Sequence, residues 1–332
     1  MNAGTPMNTF SWLVKREYWE HRGGFLWTPA IISLVFLSIM LVVLVSAEFL
    51  ARQNGIEING IHLDQLRRQL GADEIEKMHS AMDVGMLTLG IPIVIGLFFV
   101  VFFYCIGALY NDRSDRSALF WKSLPISDSG TVLSKVASAA VLAPVLATLA
   151  LVALQLAFLV LMSLYSLLHG INPFPLLWSP THLLSLWAKL LVALPVNALW
   201  ALPTVGWLLL CSSFARSKPF LWAVLVPVLA GALVSYLGVM HFVSSTSGWF
   251  WHNIVGRALL SIIPGGWLDT TNMSHGFARA DVEGPAAIIS SLSFEAIGQA
   301  VTSPDFLIGI VAGAVMIAGA VYFRRQRTES YA

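Results

Sequence analysis

The residue types that most often carry chemistry are scattered along this 332-residue chain. The eight histidines lie near the ends of apolar runs, and no His-Glu-x-x-His or comparable ligand set occurs. No nucleophile stands beside a base in a recognisable arrangement. Cys105 and Cys211 are interpreted as small buried hydrophobes rather than as a disulfide or a thiolate metal site. We therefore predict no catalytic residue, no cofactor and no metal ion.

The lysines exclude a standard ATP-binding motif. A P-loop needs a glycine directly before its lysine, because the backbone must wrap closely around phosphate. The residues that precede the lysines are Val14, Glu76, Trp121, Ser134, Ala188 and Ser217. Since none of them is glycine, we predict that the chain is not an ATP-hydrolysing enzyme by itself.

The composition indicates a membrane protein. Hydrophobic residues make up 57% of the chain and charged residues only 11%, against about 25% charged residues in soluble domains. So few charges cannot cover a protein surface in water, so lipid must cover it. The formal net charge of +1 gives no reason to expect a nucleic-acid partner.

Six apolar segments are long enough to cross a bilayer as helices. A hydrocarbon core of about 30 Å requires about 20 residues, and only helices satisfy the backbone polar groups within one segment. We predict an all-α polytopic membrane protein with a single transmembrane domain over residues 1–332. The third segment exceeds a plain crossing and is expected to tilt or to extend beyond the headgroups. The predicted spans are 27–50, 86–110, 136–168, 183–211, 220–242 and 306–323.

The distribution of lysine and arginine predicts the orientation. With the N-terminus in the cytoplasm, the inner segments hold 12 of these residues and the outer segments hold 6. This agrees with the positive-inside rule and indicates a bacterial-type inner membrane, with both termini cytoplasmic. The outer segments are then 51–85, 169–182 and 243–305, and Arg324 is placed on a cytoplasmic tail.

The predicted spans contain almost no ionisable side chains. Glu48 and Lys189 both lie near outer ends, where they can reach the interface. Proton- or ion-coupled carriers normally need carboxylates or histidines inside the membrane as relays. Any energy source for transport must therefore lie elsewhere.

Two segments on the predicted inner side are amphipathic. Residues 9–22 alternate apolar and charged positions at helical spacing, which indicates a helix in the interface. This helix either only anchors the chain or also contacts a cytoplasmic partner.

The loop 111–135 is the second such segment. Asp112 and Arg116 are four residues apart and can pair on a helix. Leu119, Phe120, Trp121 and Leu124 form an apolar knob, Pro125 ends that helix, and Ser127 or Asp128 can cap the next one. The knob is interpreted as a protein-docking helix, with a plain interfacial helix as the alternative.

The N-terminal helix, the six spans and this loop resemble permease subunits of the exporter class of ABC transporters. The clearest match is Leu124-Pro125-Ile126-Ser127, whereas Asn111 to Arg116 departs from the Glu-rich, Gly-Thr-containing start of many relatives. The resemblance implies an ATP-binding subunit as partner, whose cleft receives the loop helix, and a homodimer or heterodimer of permease subunits. The docking residues that it implies are Asp112, Arg113, Asp115, Arg116, Phe120, Trp121, Leu124 and Pro125.

Two further segments carry candidate features. Residues 249–267 are too apolar for an open loop and too broken by Gly and Pro for a clean crossing, so we predict an interfacial or re-entrant segment. The resemblance implies a role in gating the outer exit, and an aromatic membrane anchor is the alternative. Pro195, Asn197 and Pro203 indicate either a hinge at a subunit interface or an ordinary kinked helix.

Two functional hypotheses follow. The first is the membrane subunit of an ATP-driven exporter with a separate ATPase. The second is a non-transporting assembly or sensor-associated membrane protein that uses the same docking surface. Apolar spans favour a hydrophobic or amphipathic cargo, such as lipid, peptide or drug, but the sequence does not identify it.

Overall fold

The computed structural model describes residues 6–55, 71–114, 126–179, 181–240, 247–268 and 293–326. These residues contain helices, turns and no strand, so the predicted all-α fold is confirmed. In chain order the helices are α1 (Pro6–Arg22), α2 (Thr28–Gln53), α3 (Ala72–Thr88), α4 (Ile91–Ser114), α5 (Asp128–Ala137), α6 (Ala143–Leu168), α7 (Leu183–Trp200), α8 (Leu202–Phe214), α9 (Pro219–Val239), α10 (Ser247–Phe250), α11 (Arg257–Leu260), α12 (Phe294–Thr302) and α13 (Pro304–Gln326).

Among the described residues, six helices are long and apolar enough to cross a membrane, as predicted. Three of them continue for 41 to 45 residues through π-helical or tight turns. At 1.5 Å per residue they are about 60 Å long, roughly twice the hydrocarbon thickness. Their ends therefore project beyond the apolar layer. The six helices are Thr9–Gln53, Glu74–Ser114, Asp128–Leu168, Leu183–Trp200, Pro219–Val239 and Pro304–Gln326.

Local sequence explains where several helices begin. The Ser127 hydroxyl accepts a hydrogen bond from the Gly130 amide at 3.0 Å, so Ser127 is the N-cap of α5, one of the two residues predicted for that role. Pro219 stands in the first turn of α9, where its missing N–H costs no helical hydrogen bond.

The fourth predicted span is two helices rather than one. α7 ends at Trp200 and α8 begins at Leu202, with Ala201 between them. Pro203, in the first turn of α8, has no N–H to donate to the preceding turn, which explains the interruption. Pro195 lies inside α7.

The short helix α8 is the centre of the bundle. Val205, Leu208 and Leu209 are fully buried. A Cβ on Gly206 would lie 2.8 Å from the Gly313 carbonyl oxygen, so the backbones of α8 and α13 are in direct contact. Small residues allow such close packing between membrane helices. The predicted burial of Cys105 and Cys211 is confirmed, and both thiols are free.

The segment before the last span does not form a long helix. It consists of α10, a π-helical turn (Trp251–Gly256), α11 and turns up to Leu268. The Trp251 indole donates to the Ser235 hydroxyl of α9 at 2.8 Å, and the Thr204 hydroxyl of α8 donates to the Arg257 carbonyl at 2.8 Å. The segment is thus folded against two apolar helices.

Candidate functional site

The structure places the two ends of the predicted docking loop beside each other. Asp112 and Arg113 lie in the last turn of α4, and Asp128 begins α5. The other predicted docking residues lie outside the described residues, so the docking helix itself stays a prediction. They are Asp115, Arg116, Phe120, Trp121, Leu124 and Pro125.

Arg324 of α13 joins the two ends of this loop. Its Nη1 donates to the Asp112 carboxylate and its Nε to the Asp128 carboxylate, each at 3.1 Å. The side chain is only 8% exposed. The prediction that Arg324 lies on a tail beyond the last span was therefore wrong: α13 continues to Gln326, and this arginine is buried in the bundle.

Lys135 connects the Asp112 carboxylate to the N-terminal helix α1. Its Nζ lies 3.5 Å from the Asp112 carboxylate and 3.3 Å from the Glu17 carboxylate, and the lysine is 2% exposed. Glu17 is fully buried, accepts a hydrogen bond from the Tyr104 hydroxyl at 2.8 Å and pairs with Arg16. Asp112 is thus shared between Lys135 and Arg324. Its predicted partner Arg116 lies outside the described residues, so that pairing stays a prediction.

The closest ion pairs of this ionic cluster alternate in sign. Among the described residues, they join three carboxylates to three cations: Glu17, Asp112, Asp128, Arg16, Lys135 and Arg324. Charges removed from water are tolerated when they are paired and hydrogen-bonded. Removal of one partner leaves a buried charge uncompensated, so this arrangement strongly favours one relative position of the helices.

Arg113 fixes the same end of α4 to α8. Its Nη2 donates to the backbone carbonyls of Ser212 at 2.6 Å and Ala215 at 3.1 Å. These carbonyls lie at the C-terminal end of α8, where helical acceptors lack partners within the helix and attract cations. The Ser212 hydroxyl in turn accepts from the Leu109 and Tyr110 amides at 3.0 and 2.9 Å. Arg113, predicted to contact a partner protein, therefore also has a role within the chain.

The cluster shows how the first and last described helices are arranged. Glu17 lies on α1 and Arg324 lies near the end of α13, and both contact the same central residues. The N-terminal helix and the end of the last described helix are therefore on one side of the bundle, as an even number of crossings requires.

Sequence reasoning assigned Glu17 and Lys135 to aqueous segments and missed their burial. Lys135 directly precedes the apolar run that starts at Val136, a position where a cation is expensive unless it is paired. Glu17 stands on a helix that also carries Lys15, Arg16 and Arg22. These were the only signals, because the pairing joins positions 118 residues apart.

The opposite end of the bundle contains a second polar group. The Glu48 carboxylate binds Arg52 and the His169 ring, both at 2.8 Å. The other nitrogen of His169 lies 2.9 Å from the Tyr165 carbonyl. These hydrogen bonds, first to the Tyr165 carbonyl and then to Glu48, raise the pKa of His169. Glu48, predicted to reach the interface, is thus held by partners of its own chain.

Asn197 joins α7 to the segment before the last span. Its Oδ1 accepts from the Gly265 amide at 3.1 Å and from the Trp267 indole at 2.6 Å. The hydrogen bonds of Asn197 thus reach a turn rather than another long helix. Whether Pro195, Asn197 and Pro203 form a hinge stays a prediction.

Gln155 is a buried polar residue that sequence reasoning did not single out. Its amide nitrogen donates to the Met86 carbonyl at 3.0 Å, and its oxygen accepts from the Trp187 indole at 2.8 Å. Gln155 is fully buried within α6 and connects that helix to α3 and α7. These hydrogen bonds within the bundle favour one packing arrangement of α6 against α3 and α7.

One group near the cluster has metal-ligand types in reach of each other. Ligand atoms of Glu17, Glu20 and His21 lie within 4.8 Å of one another. Glu17 already binds Lys135, Arg16 and Tyr104, so a cation would have to displace these partners. We assign no metal to this group.

Comparison of the chain with protein-family models, with curated proteins and with solved structures gave no match. The case for function therefore comes from the sequence and from the geometry of the ionic cluster.

Proposed function

We propose that this chain is the membrane-spanning subunit of an ATP-driven ABC-type exporter. In this proposal it forms the translocation pathway with a second permease subunit, identical or related, in a bacterial-type inner membrane. The loop 111–135 docks in a separate ATP-binding subunit on the cytoplasmic side. The resemblance of the loop sequence to exporter permeases supports the proposal.

The observation that carries the proposal is the ionic cluster at the base of the loop. Arg324 binds a carboxylate on each side of the loop, Asp112 and Asp128. Lys135 binds Asp112 as well and connects it to Glu17 of α1. A partner that displaces the loop would therefore move the ends of α1, α4, α5 and α13 together. A loop that only connected two spans would not need this coupling.

In this proposal a separate ATPase supplies the energy for transport. The chain lacks a P-loop lysine and its predicted spans lack a carboxylate or histidine relay. A motor protein that pushes on a rigidly anchored loop would supply the missing energy.

The alternative is a non-transporting assembly or sensor-associated protein with the same docking surface. Tagged chain purified from its native membrane in mild detergent distinguishes the two. The exporter proposal expects a P-loop ATPase to copurify and expects the chain freed from it to hydrolyse no ATP. Copurification of a kinase or a secretion component without an ATPase would favour the alternative.

Trp121→Ala tests the docking loop directly. Aromatic anchors at protein interfaces often contribute about 2 kcal/mol or more to binding. We expect this substitution to reduce ATPase copurification at least tenfold and to abolish coupled transport, without changing membrane insertion. The control is Trp222→Ala, a half-exposed tryptophan on α9.

If Trp121→Ala retained the ATPase as well as Trp222→Ala does, the loop would be only an interfacial anchor and the exporter proposal would lose its coupling element.

A further inference from the structure

A cavity of about 360 Å³ lies between α8, α9, α13 and the segment that holds α10 and α11. Its volume is at the lower end of the range of small-molecule pockets, about 300–1,000 Å³. The walls are mainly apolar, and Gly309 and Ala312 leave room along α13. Other lining residues are Pro203, Trp207, Pro227, Ile308 and Met316.

Arg257 is the one cation among the residues that line this cavity. A guanidinium has five N–H donors. Within the described residues, its side chain makes one long hydrogen bond, to the Asp305 carbonyl at 3.4 Å, and Nη1 has no partner. Its other neighbour is the Trp200 ring, 3.4 Å from the guanidinium carbon. Most of its donor capacity is therefore unused.

The fold holds Arg257 at this position. Its backbone carbonyl accepts hydrogen bonds from the Thr204 and Ser261 hydroxyls at 2.8 and 2.9 Å. A Cβ on Gly309 would overlap Nη2 of Arg257, so the absence of a side chain there gives the guanidinium its space. The site thus combines a fixed cation with an apolar chamber.

The cavity is elongated along α13. Its lining on that helix runs from Asp305 to Met316, which is about 16 Å at 1.5 Å per residue. Asp305 lies at the beginning of α13 with the Arg257 side chain beside it, and Met316 lies near the middle of that helix. Asp305 carries a negative charge but makes no ion pair with Arg257 among the described residues. This carboxylate favours a head group with a single negative charge over a multiply charged one.

We propose that the cavity binds a single-chain amphiphile from the bilayer that has one anionic head group, such as a fatty-acid carboxylate. The head group pairs with Arg257, and the chain lies along α13 against Trp207, Ile308 and Ala312. This binding is a property of the chain itself and does not depend on the proposed exporter function.

The test is equilibrium binding of radiolabelled dodecanoate to the full chain in phosphatidylcholine nanodiscs, with empty nanodiscs as background. Dodecanol, which has the same chain and no charge, is the second probe. Arg257→Gln should weaken dodecanoate binding at least tenfold, because hydrogen bonds to charged groups are among the stronger ones, and should leave dodecanol binding unchanged. Ala312→Phe, which fills the chamber and keeps the cation, should abolish binding of both probes.

Arg52→Gln, at an exposed arginine of α2, is the matched control and should bind both probes like the original chain. Three outcomes would overturn the proposal: no saturable dodecanoate binding above empty nanodiscs, equal binding by Arg257→Gln, or an equal loss in Arg52→Gln. Because Ala312→Phe tests the chamber without touching Arg257, the proposal stays testable if Arg257→Gln does not fold.

Discussion

Arg324 forms ion pairs with two carboxylates that belong to different helices. Asp112 has Lys135 as a second cation, whereas Asp128 depends on Arg324 for the ion pair at 3.1 Å. An arginine suits this position because its guanidinium presents separate N–H groups to two acceptors, which an ammonium cannot do in the same geometry.

Arg324→Ala should lower the free energy of unfolding by about 3 kcal/mol, because removal of one partner leaves buried charge uncompensated. Arg324→Lys should recover only part of this loss. The measurement is thermal unfolding of the purified chain in detergent. Arg216→Ala, at an exposed arginine just after α8, serves as the control. Equal unfolding temperatures for Arg324→Ala and Arg216→Ala would show that the ionic cluster contributes no stability.

The raised pKa of His169, at the end of the bundle opposite the ionic cluster, predicts that the stability of the folded chain depends on pH. Its pKa is raised in the folded chain by acceptors on both ring nitrogens, so folding favours the charged ring. The resulting stability is fully present below the unfolded pKa of about 6.5 and is lost as pH rises through the folded pKa.

The difference in unfolding temperature between the original chain and His169→Gln should therefore be larger at pH 5.5 than at pH 8.5. His252→Gln, at an exposed histidine of the segment before the last span, is the control. A difference that grew with pH would contradict the assigned sign.

At the scale of elements, the sequence predicted the helices that depend on local composition. Long apolar runs predicted six spans, and the Ser127 cap followed from the residues beside it. The interruption at Ala201 was partly visible, since Pro203 was singled out as a bend. The ionic cluster was not predictable in the same way, because Glu17 and Lys135 carry ordinary signals of solvent exposure and only tertiary packing brings them together.

The element that includes Asn197 offers a direct test of how the segment before the last span is held. Asn197→Leu should destabilise the chain by about 1–3 kcal/mol, because the Gly265 amide and the Trp267 indole lose their acceptor. Asn197→Asp keeps an oxygen in place and should recover much of the loss. Labelling of a cysteine placed at exposed Leu260 reports on the segment. Unchanged stability and labelling in Asn197→Leu would show that this contact does not hold the segment.

At the scale of the whole molecule, the charge distribution predicts which side faces the cytoplasm. A cysteine placed at Asp73 should react with a membrane-impermeant reagent added from outside, whereas a cysteine at Arg325 should react only after the membrane is opened. The two native cysteines are buried and give little background. The reverse pattern would invert the orientation and place the loop 111–135 on the outer side.

The position of Arg324 along the chain also has a consequence for biogenesis. Chains are made from the N-terminus, so Glu17 already exists when Lys135 enters the membrane. Arg324 follows its two partners by 196 and 212 positions. In the nascent chain Asp112 and Asp128 therefore lack their ion pairs with Arg324 until the last described helix has been made. Completion of the ionic cluster is thereby tied to completion of the membrane domain.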